Sequence, residues 1–328
     1  MSSDLILALY DENKNRFMET ESELIGKGGF GRVFRVFNKL DDRFYAIKKI
    51  LVTERNMRSA LHEIRILASI VHPNVIRYFH SWIEAREFSD RERMKIHFYT
   101  EDTSRCSSME EDEREEEDTD AIFLHKDCCY FFNIQMEYCE GSLRQYMWNR
   151  VAVNYDQCFQ IMRQVIHGLH FIHNNGIIHR DMKPDNILIY QRNPLRIKIS
   201  DFGLAKVFQK NMMATESSNY TGTYLYASPE QFQGNAYTFS TDIYSLGIVL
   251  LEIQHLFKTE MERIVTLQKA NQRIFPPETA YASLIDQMLS IEPLHRPSII
   301  QLHNIFDPTL NHHMIWCRDI IWEILLSM

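Results

Sequence analysis

A segment near the middle of the chain concentrates side chains that can move a proton and hold a metal ion. Residues 179–186 read HRDMKPDN and lie between two short apolar stretches. Asp181 can accept a proton from a hydroxyl group, and Lys183 can neutralise a phosphoryl group during its transfer. Oxygen atoms of Asn186 and of Asp201, which lies fifteen residues further on, suit Mg²⁺. The segment therefore predicts metal-assisted phosphoryl transfer.

A glycine cluster near the start of the chain offers backbone N–H groups to a phosphate. Residues 26–33 read GKGGFGRV, and the missing side chains let the backbone lie close to a ligand. A dinucleotide site would need a helix directly after the glycines, and a Walker loop would end in GK[ST]. A strand pattern follows instead. We therefore predict the tip of a β-hairpin that covers phosphates.

A lysine on the following strand is a candidate for the same phosphate site. Lys48 lies seventeen residues after Gly31, among apolar neighbours. Taken alone, it would read as a surface lysine at a strand end. Glu63, on a helix predicted over 57–70, can pair with its ammonium and hold it toward the α- and β-phosphates. Glu54, in the segment that connects strand and helix, is a weaker candidate for the partner.

The elements that must position these residues change from strands to helices along the chain. Strands are predicted within residues 20–55, 75–83 and 130–136. An apolar stripe over 159–172 predicts a helix that ends at Asn174-Asn175-Gly176. Residues 243–253 are apolar almost all round, which predicts a buried helix too short to cross a bilayer. We expect an α+β architecture of two lobes.

The negative charge of the chain belongs to one segment. The net charge is −8, and residues 101–120 hold eleven acidic and two basic side chains. The remainder carries 33 acidic and 34 basic residues, which is close to neutral. An acidic segment with few apolar residues cannot bury enough surface to fold, so we predict a disordered insertion over about 86–122.

Cysteine spacing and hydropathy indicate the compartment. The six cysteines show no CxxC motif and no zinc-ligand spacing, which favours free thiols in the cytosol. No apolar stretch approaches the ~18 residues of a membrane span. We therefore expect a soluble, cytoplasmic protein with no membrane partner and no direct nucleic-acid partner.

The ordered motifs resemble those of the eukaryotic protein kinase superfamily. The glycine loop, AIK at 46–48, HRDMKPDN, DFG at 201–203 and SPE at 228–230 occur in the family's order. Lys183 resembles the serine/threonine class. Ser228 replaces the usual alanine, while Glu230 remains available to pair with Arg296, as in the family.

This resemblance implies ATP and Mg²⁺ as substrate and cofactor, and it assigns roles by position. Met136 would be the gatekeeper residue before the adenine-binding hinge. The catalytic group would be Lys48, Glu63, Asp181 and Lys183, and the metal ligands would be Asn186 and Asp201. The nucleotide would contact Ile25, Gly26, Lys27, Gly28, Gly29, Phe30, Gly31, Arg32, Val33, Lys48, Glu137 and Cys139.

The resemblance also implies domain boundaries. A kinase domain would span 20–308, with an N-lobe over 20–138 that holds the acidic insert and a C-lobe over 139–308. Residues 1–19 would then be an N-terminal extension, and residues 309–328 a C-terminal helical tail. The pair His312-His313 in that tail reads as solvated, with metal or haem ligation as the alternative.

Several local matches resemble the kinases of the alpha subunit of translation initiation factor 2. They are the position of the insert, NKLD at 38–41, IRY at 76–78, SWIE at 81–84, GTYLYASPEQ at 222–231, TEMERI at 259–264 and FPP at 275–277. The resemblance implies phosphorylation of that subunit, which down-regulates translation initiation under stress. It also implies substrate docking at Thr259, Met261, Glu262 and Arg263. The alternative is a surface helix that packs Met261, Ile264 and Leu267 inward.

Regulation is expected in the segment between DFG and SPE. Arg180, next to Asp181, can pair with a phosphate placed there. The candidate hydroxyls include Ser218 and Thr221, and Thr223 is expected to contact the catalytic residues or to be autophosphorylated. The resemblance also implies back-to-back homodimers, although Arg16 and Glu19 lie two residues closer to Gly26 than the family's pattern.

Two other functions stay open at this point. One is a serine/threonine kinase with a different stress or cell-cycle substrate. The other is a catalytically weak scaffold that binds ATP through the same fold.

Overall fold

The computed structural model describes residues 23–28, 31–52, 54–87, 128–207, 224–232 and 237–307, and it divides the chain into two compact units. The first unit holds the described residues up to Ala68 and those from Arg77 to Tyr138. The second holds Ser69–Ile76 and the described residues from Cys139 onward. A β-sheet dominates the first unit and helices dominate the second, so the predicted two-lobed α+β fold is confirmed.

The described residues of the first unit form a five-stranded antiparallel sheet and one helix. The strand order of the sheet is β1-β2-β3-β5-β4. The strands are β1 (Glu23–Gly28), β2 (Gly31–Asn38), β3 (Arg43–Leu51), β4 (Tyr78–Glu87) and β5 (Cys128–Glu137). Helix α1 (Glu54–Ser69) buries Ala60, Glu63 and Leu67, which share one face at i, i+3 and i+7.

Two predicted boundaries in this part of the chain are wrong. Helix α1 begins at Glu54 rather than at Met57, so Glu54 belongs to the helix and not to the connecting segment. Strand β4 begins at Tyr78 rather than at Val75, because Val75 forms an isolated parallel bridge with Ile199 in the second unit.

The second unit is built around a long helix, α3 (Tyr155–Asn174), which follows β6 (Gly141–Ser142) and α2 (Leu143–Trp148). Its N-cap Asn154 accepts a hydrogen bond from the Gln157 backbone N–H at 3.0 Å. Its buried stripe includes Ile161, Val165, Leu169 and Ile172. The helix ends where predicted, because Gly176 adopts φ 71° beyond it.

The remaining elements of the second unit include a second buried helix, α5. The strands are β7 (Ile177–Ile178), β8 (Ile187–Arg192), β9 (Leu195–Ile199) and β10 (Lys206–Val207). The helices are α4 (Pro229–Phe232), α5 (Phe239–Ile253), α6 (Glu260–Asn271), α7 (Ala282–Met288) and α8 (Ile299–Phe306). A Cβ on Gly247 of α5 would lie 2.9 Å from the Cβ of Met288, so glycine permits the close packing of α7.

Several predictions fall outside the described residues. They concern Gly29, Phe30, Arg16, Glu19, Ser218, Thr221, Thr223, the His312-His313 pair, the extension 1–19, the tail 309–328 and nearly all of the acidic insert. Among the described residues, no helix combines the length and apolar character that a membrane crossing requires.

Candidate active site

The glycine cluster lies in a β-hairpin. Strands β1 and β2 pair antiparallel, with Gly28 opposite Gly31 and Lys27 opposite Arg32. Gly31 has φ 130°, and a Cβ there would lie 2.4 Å from the carbonyl oxygen of Lys49. Any other residue would clash with β3 at that point, so a glycine is required where β2 begins next to β3.

Lys48 forms a buried ion pair on the inner part of the same sheet. It lies opposite Val33 of β2 and Ile134 of β5. Its Nζ is 2.7 Å from Oε1 of Glu63, and the two side chains are 8% and 3% exposed. This burial argues against a surface lysine at a strand end. A buried pair of this kind fixes the ammonium in one position, since separating it would leave an uncompensated charge.

The HRDMKPDN segment converges on one carboxylate oxygen. Asp181 Oδ2 accepts hydrogen bonds from Lys183 Nζ at 2.7 Å and from Asn186 Nδ2 at 2.8 Å. The same Nδ2 also donates to the Asp181 backbone oxygen at 2.8 Å. These donors fix the orientation of the carboxylate. The structure thus brings together two residues that the sequence analysis predicts to be catalytic, Asp181 and Lys183, and one predicted metal ligand, Asn186.

The predicted metal ligands are joined through Ser200. The Ser200 backbone N–H and its Oγ donate to the Asn186 carbonyl oxygen at 2.8 and 3.0 Å. Asp201 follows directly and has φ 63°, a left-handed conformation that turns the chain sharply after β9. Because Asn186 donates to Asp181 through Nδ2, its Oδ1 is the atom that suits Mg²⁺. An amide and a carboxylate oxygen are hard ligands that fit this ion.

A buried carboxylate that the sequence analysis missed supports this segment from within α5. Asp242 is 0% exposed and accepts from the backbone N–H groups of His179 and Arg180 at 2.9 and 2.7 Å. His173 Nε2 lies 2.8 Å from it. Burial opposes ionisation, but the hydrogen bond and charge of His173 and the contacts with His179 outweigh it, so the Asp242 pKa is lowered. Asp242 therefore holds Arg180 at φ 68°.

Comparison with known proteins agrees with this geometry. The family model for the protein kinase domain matches residues 20–306. The chain belongs to the protein kinase family. This kinase domain is of the serine/threonine type, and ATP and Mg²⁺ are the family's substrate and cofactor.

Three curated proteins are similar to this chain. The chain is 33% identical over 287 residues to an interferon-induced, double-stranded RNA-activated protein kinase of Rattus norvegicus, and the match covers 85% of this chain and 50% of the relative. It is 32% identical over 334 residues to eIF-2-alpha kinase GCN2 of Arabidopsis thaliana, with 92% of this chain and 26% of the relative covered. It is 28% identical over 408 residues to eukaryotic translation initiation factor 2-alpha kinase 1 of Rattus norvegicus, with 86% of this chain and 66% of the relative covered. The kinase therefore spans about half, or less, of the first two relatives.

The residues predicted to form the hinge lie at the end of the first unit and the start of the second. Met136 and Glu137 end β5, and the Glu137 backbone N–H donates to the Arg77 carbonyl at 2.9 Å. Cys139 is buried at 7% exposure. Ile25 is exposed in β1, and Arg32 and Val33 are partly buried in β2.

Side chains of residues 228–231 form hydrogen bonds with Arg296 and with the HRDMKPDN segment. Glu230 accepts two hydrogen bonds from Arg296, at 2.6 and 2.8 Å, as the family resemblance implies. The hydroxyl of Ser228, which replaces the common alanine, donates to Gln231 Oε1 at 3.2 Å. Gln231 Nε2 in turn donates to the Arg180 carbonyl at 3.1 Å. The departure from the family pattern therefore adds a hydrogen bond and removes none of these.

The sequence analysis also did not predict a second polar network, which surrounds the Tyr226 hydroxyl. Arg144 Nη2 lies 2.6 Å from that hydroxyl and 3.1 Å from Asp185 in the HRDMKPDN segment. Tyr226 donates to Glu252, and Arg263 Nη1 of α6 lies 3.2 Å from both. Burial and the charge of Glu252 raise the pKa of Tyr226, so its hydroxyl remains a donor. The network connects α6 to the HRDMKPDN segment (residues 179–186), the catalytic segment.

The first turn of α6 corrects part of the docking prediction. Met261 is 69% exposed, whereas Arg263 is 7% exposed and enclosed by the network just described. Arg263 therefore supports the helix from inside and does not offer its side chain to a partner. The inward-packing alternative is correct for Leu267, which is 0% exposed, but wrong for Met261.

Proposed function

We propose that this kinase phosphorylates the alpha subunit of translation initiation factor 2 and thereby lowers translation initiation under stress. The observation that carries the proposal is the exposed first turn of α6, which displays Met261 and is anchored to the catalytic segment through Arg263. Two of the relatives described above are kinases of this factor by name, which supports the same substrate.

The phosphoryl-transfer chemistry follows from the hydrogen bonds of Asp181. Its fixed carboxylate orients the serine or threonine hydroxyl and accepts the hydroxyl proton as the oxygen attacks the γ-phosphorus. The bond between the γ-phosphorus and the bridging oxygen of the β-phosphate breaks at the same time, and ADP leaves with that oxygen. Lys183, 2.7 Å from Asp181, supplies a positive charge for the transferred group. Asn186 and Asp201 would hold Mg²⁺, which when bound neutralises charge on the phosphate oxygens.

Most of the residues proposed to bind the nucleotide belong to the first unit. The backbone N–H groups of the glycine hairpin are suited to phosphate oxygens, and Lys48, held by Glu63 at 2.7 Å, is suited to the α- and β-phosphates. Ile25, Glu137 and Cys139 are proposed to contact the adenine.

Activation by phosphorylation is proposed to act through Arg180. Its guanidinium lies 4.1 Å from the ring centroid of Tyr237 and donates to the Leu204 carbonyl at 3.4 Å. Its Nε is buried without a hydrogen-bond partner among the described residues. A phosphate on a hydroxyl between DFG and SPE would accept a hydrogen bond from this Nε and would hold that part of the chain against Arg180.

The docking surface is the first turn of α6, formed by Thr259, Met261 and Glu262. Thr259 Oγ1 accepts from the Glu262 backbone N–H at 3.1 Å, and Glu262 Oε2 accepts from the Lys258 backbone N–H at 2.8 Å. These two bonds fix the turn, so little conformational entropy is lost when a partner binds. The exposed thioether is then free to fill an apolar depression on the substrate.

Substrate-specific loss is expected when the docking side chain is shortened. We expect Met261→Ala to lower kcat/KM for the folded alpha subunit about tenfold, since a central apolar contact contributes about 1–2 kcal/mol. The rate with a short serine peptide, which cannot reach α6, should stay within about twofold. Steady-state kinetics with both substrates measure this difference.

The matched control is Leu294→Ala, which shortens an apolar side chain that is 94% exposed elsewhere in the second unit. It should leave both substrates unaffected. Equal rates of alpha-subunit phosphorylation by wild type and Met261→Ala would contradict docking at this turn. A parallel fall with both substrates would show general damage and would contradict it as well.

A further inference from the structure

A group of three metal-ligating side chains joins two helices of the second unit. Among the residues that the structure describes, only His167, His303 and Asp307 bring three His, Cys, Asp or Glu ligand atoms within 4.8 Å of one another. His167 lies on α3, His303 lies in the last turn of α8, and Asp307 is the C-cap of α8. None of the three belongs to the catalytic segment, so the phosphoryl-transfer mechanism does not account for the cluster.

One distance within the group is close to that of a tetrahedral metal site. His167 Nε2 lies 3.1 Å from Asp307 Oδ2. With metal–ligand bonds of about 2.0–2.1 Å, two ligands of a tetrahedral ion lie about 3.3 Å apart. Arg163 Nη2 lies 3.2 Å from the other carboxylate oxygen, Oδ1, which fixes the carboxylate with Oδ2 toward His167. His303 offers a ring nitrogen within 4.8 Å of both of these ligand atoms.

The two imidazoles already lie side by side. The His167 and His303 rings stack with centroids 4.6 Å apart and an interplanar angle of 27°. Burial lowers the pKa of His167 and of His303, and the carboxylate of Asp307 offsets this effect only in part. The His170 ring is tilted by 50° to the His303 ring, with centroids 4.7 Å apart, and its Nε2 lies 3.1 Å from Asn174 Nδ2.

The chemistry of the donors selects the class of ion. Two imidazole nitrogens and one carboxylate oxygen suit Zn²⁺ and similar transition metals, whereas Mg²⁺ and Ca²⁺ prefer oxygen ligands. The His167 side chain is 27% exposed, so water can reach the fourth position. We propose that His167, His303 and Asp307 bind one divalent transition-metal ion of the zinc class.

The ion would link α8 to α3. The two helices already pack through Phe159 and Phe306, whose ring centroids lie 5.3 Å apart. A metal bound at one end of this contact adds a second link between the helices. Because it would bind the folded chain and not the unfolded one, Zn²⁺ should raise the unfolding temperature. The site is distinct in chemistry from the proposed Mg²⁺ ligands Asn186 and Asp201, which are both oxygen donors.

Metal titration of the ATP-free protein tests this inference. The chain is first stripped with a chelator, and then Co²⁺ is added while its visible absorption is recorded, with Zn²⁺ binding measured by calorimetry. We expect one equivalent to bind, with affinity at least about tenfold weaker in His167→Ala and in His303→Ala. Phosphoryl transfer is not needed for either readout.

Two controls separate this cluster from other histidines. His295→Ala removes an exposed histidine of the same unit and should bind the ion like wild type. A double change, His312→Ala with His313→Ala, removes the histidine pair of the tail and should also leave binding intact. Loss of the ion only in that double variant, or wild-type binding in both cluster variants, would overturn the proposal.

A folding check keeps the test decisive. Circular dichroism and the unfolding temperature of each metal-free variant show whether the chain has folded. If a histidine variant does not fold, Asp307→Asn provides the answer, because it keeps the shape of the carboxylate and weakens the ligand. A Zn²⁺-induced rise in its Tm equal to that of wild type would contradict the site, and a smaller rise would support it.

Discussion

Replacing Asp181 by asparagine is expected to lower kcat about 10²–10⁴-fold, the usual contribution of a positioned general base. The carboxylate accepts from Lys183 at 2.7 Å and from Asn186 at 2.8 Å, and it is 6% exposed. An amide of the same shape cannot accept the substrate proton. Its NH₂ group would also face two donors or turn away from them, which misorients the side chain.

This prediction is checked by single-turnover kinetics with saturating Mg-ATP. Asp156→Asn is the matched control, because it makes the same chemical change at an exposed carboxylate in the first turn of α3. The control should keep the wild-type rate. If Asp181→Asn retained more than about a tenth of the wild-type kcat, Asp181 would not be the group that accepts the proton.

The second large effect is expected on stability, at the ion pair of Glu230 and Arg296. We expect Glu230→Gln to lower the free energy of unfolding by about 3–5 kcal/mol, because it leaves the Arg296 charge buried without its counter-ion. The Arg296 and Glu230 side chains are 0% and 7% exposed, and two hydrogen bonds of 2.6 and 2.8 Å join them. Urea denaturation followed by circular dichroism measures the difference.

The same variant should show a characteristic pH dependence. Burial would raise the pKa of Glu230, but the hydrogen bonds and charge of Arg296 outweigh it, so this pKa lies below its usual value of 4.5. The carboxylate therefore stabilises the fold fully above about pH 4.5, and that contribution is lost as the pH falls through the lowered pKa. The difference in unfolding free energy between wild type and Glu230→Gln should be constant near neutral pH and should become smaller in acid.

Glu292→Gln, at an exposed site of the same unit, is the control and should change the unfolding free energy by less than about 0.5 kcal/mol. A loss of under 1 kcal/mol in Glu230→Gln, or a gap that widens in acid, would contradict the stabilising role of this pair.

The catalytic residues could be predicted from the sequence because short-range spacing fixes them. Asp181, Lys183 and Asn186 lie within six residues, so one turn of backbone suffices to bring them together. The pairing of Lys48 with Glu63 could be predicted because Lys48 lies on a strand and Glu63 lies on the helix that follows it. In both cases the chemistry of the residue types restricted the possible partners.

The supporting residues could not be predicted, because their partners are distant in the chain. Asp242 lies more than sixty residues after His179, and Arg144 lies more than a hundred before Glu252. A carboxylate inside the apolar helix α5 is the one available signal for Asp242, since such a group needs several donors when buried. Nothing in the local sequence of Arg144 indicates that it reaches Tyr226.

The orientation of α6 shows how a tertiary contact overrides a local pattern. Met261, Ile264 and Leu267 repeat every three residues and predict a common buried face. The observed buried set is Arg263, Leu267 and Ala270, at i, i+4 and i+7. Ion pairing of Arg263 with Glu252 rotates the helix to this phase and turns Met261 outward. An arginine is therefore the residue that exposes the proposed docking side chain.

The most direct test of the proposed function is phosphorylation of the recombinant alpha subunit of translation initiation factor 2 by the purified chain with Mg-ATP. A generic basic protein serves as the comparison substrate, and Lys48→Arg serves as the inactive control. We predict strong labelling of the alpha subunit at one residue, weak labelling of the basic protein and no labelling by Lys48→Arg. Labelling of the basic protein alone would contradict the proposed substrate and leave a kinase with another target, and labelling of neither protein would favour a scaffold that binds ATP.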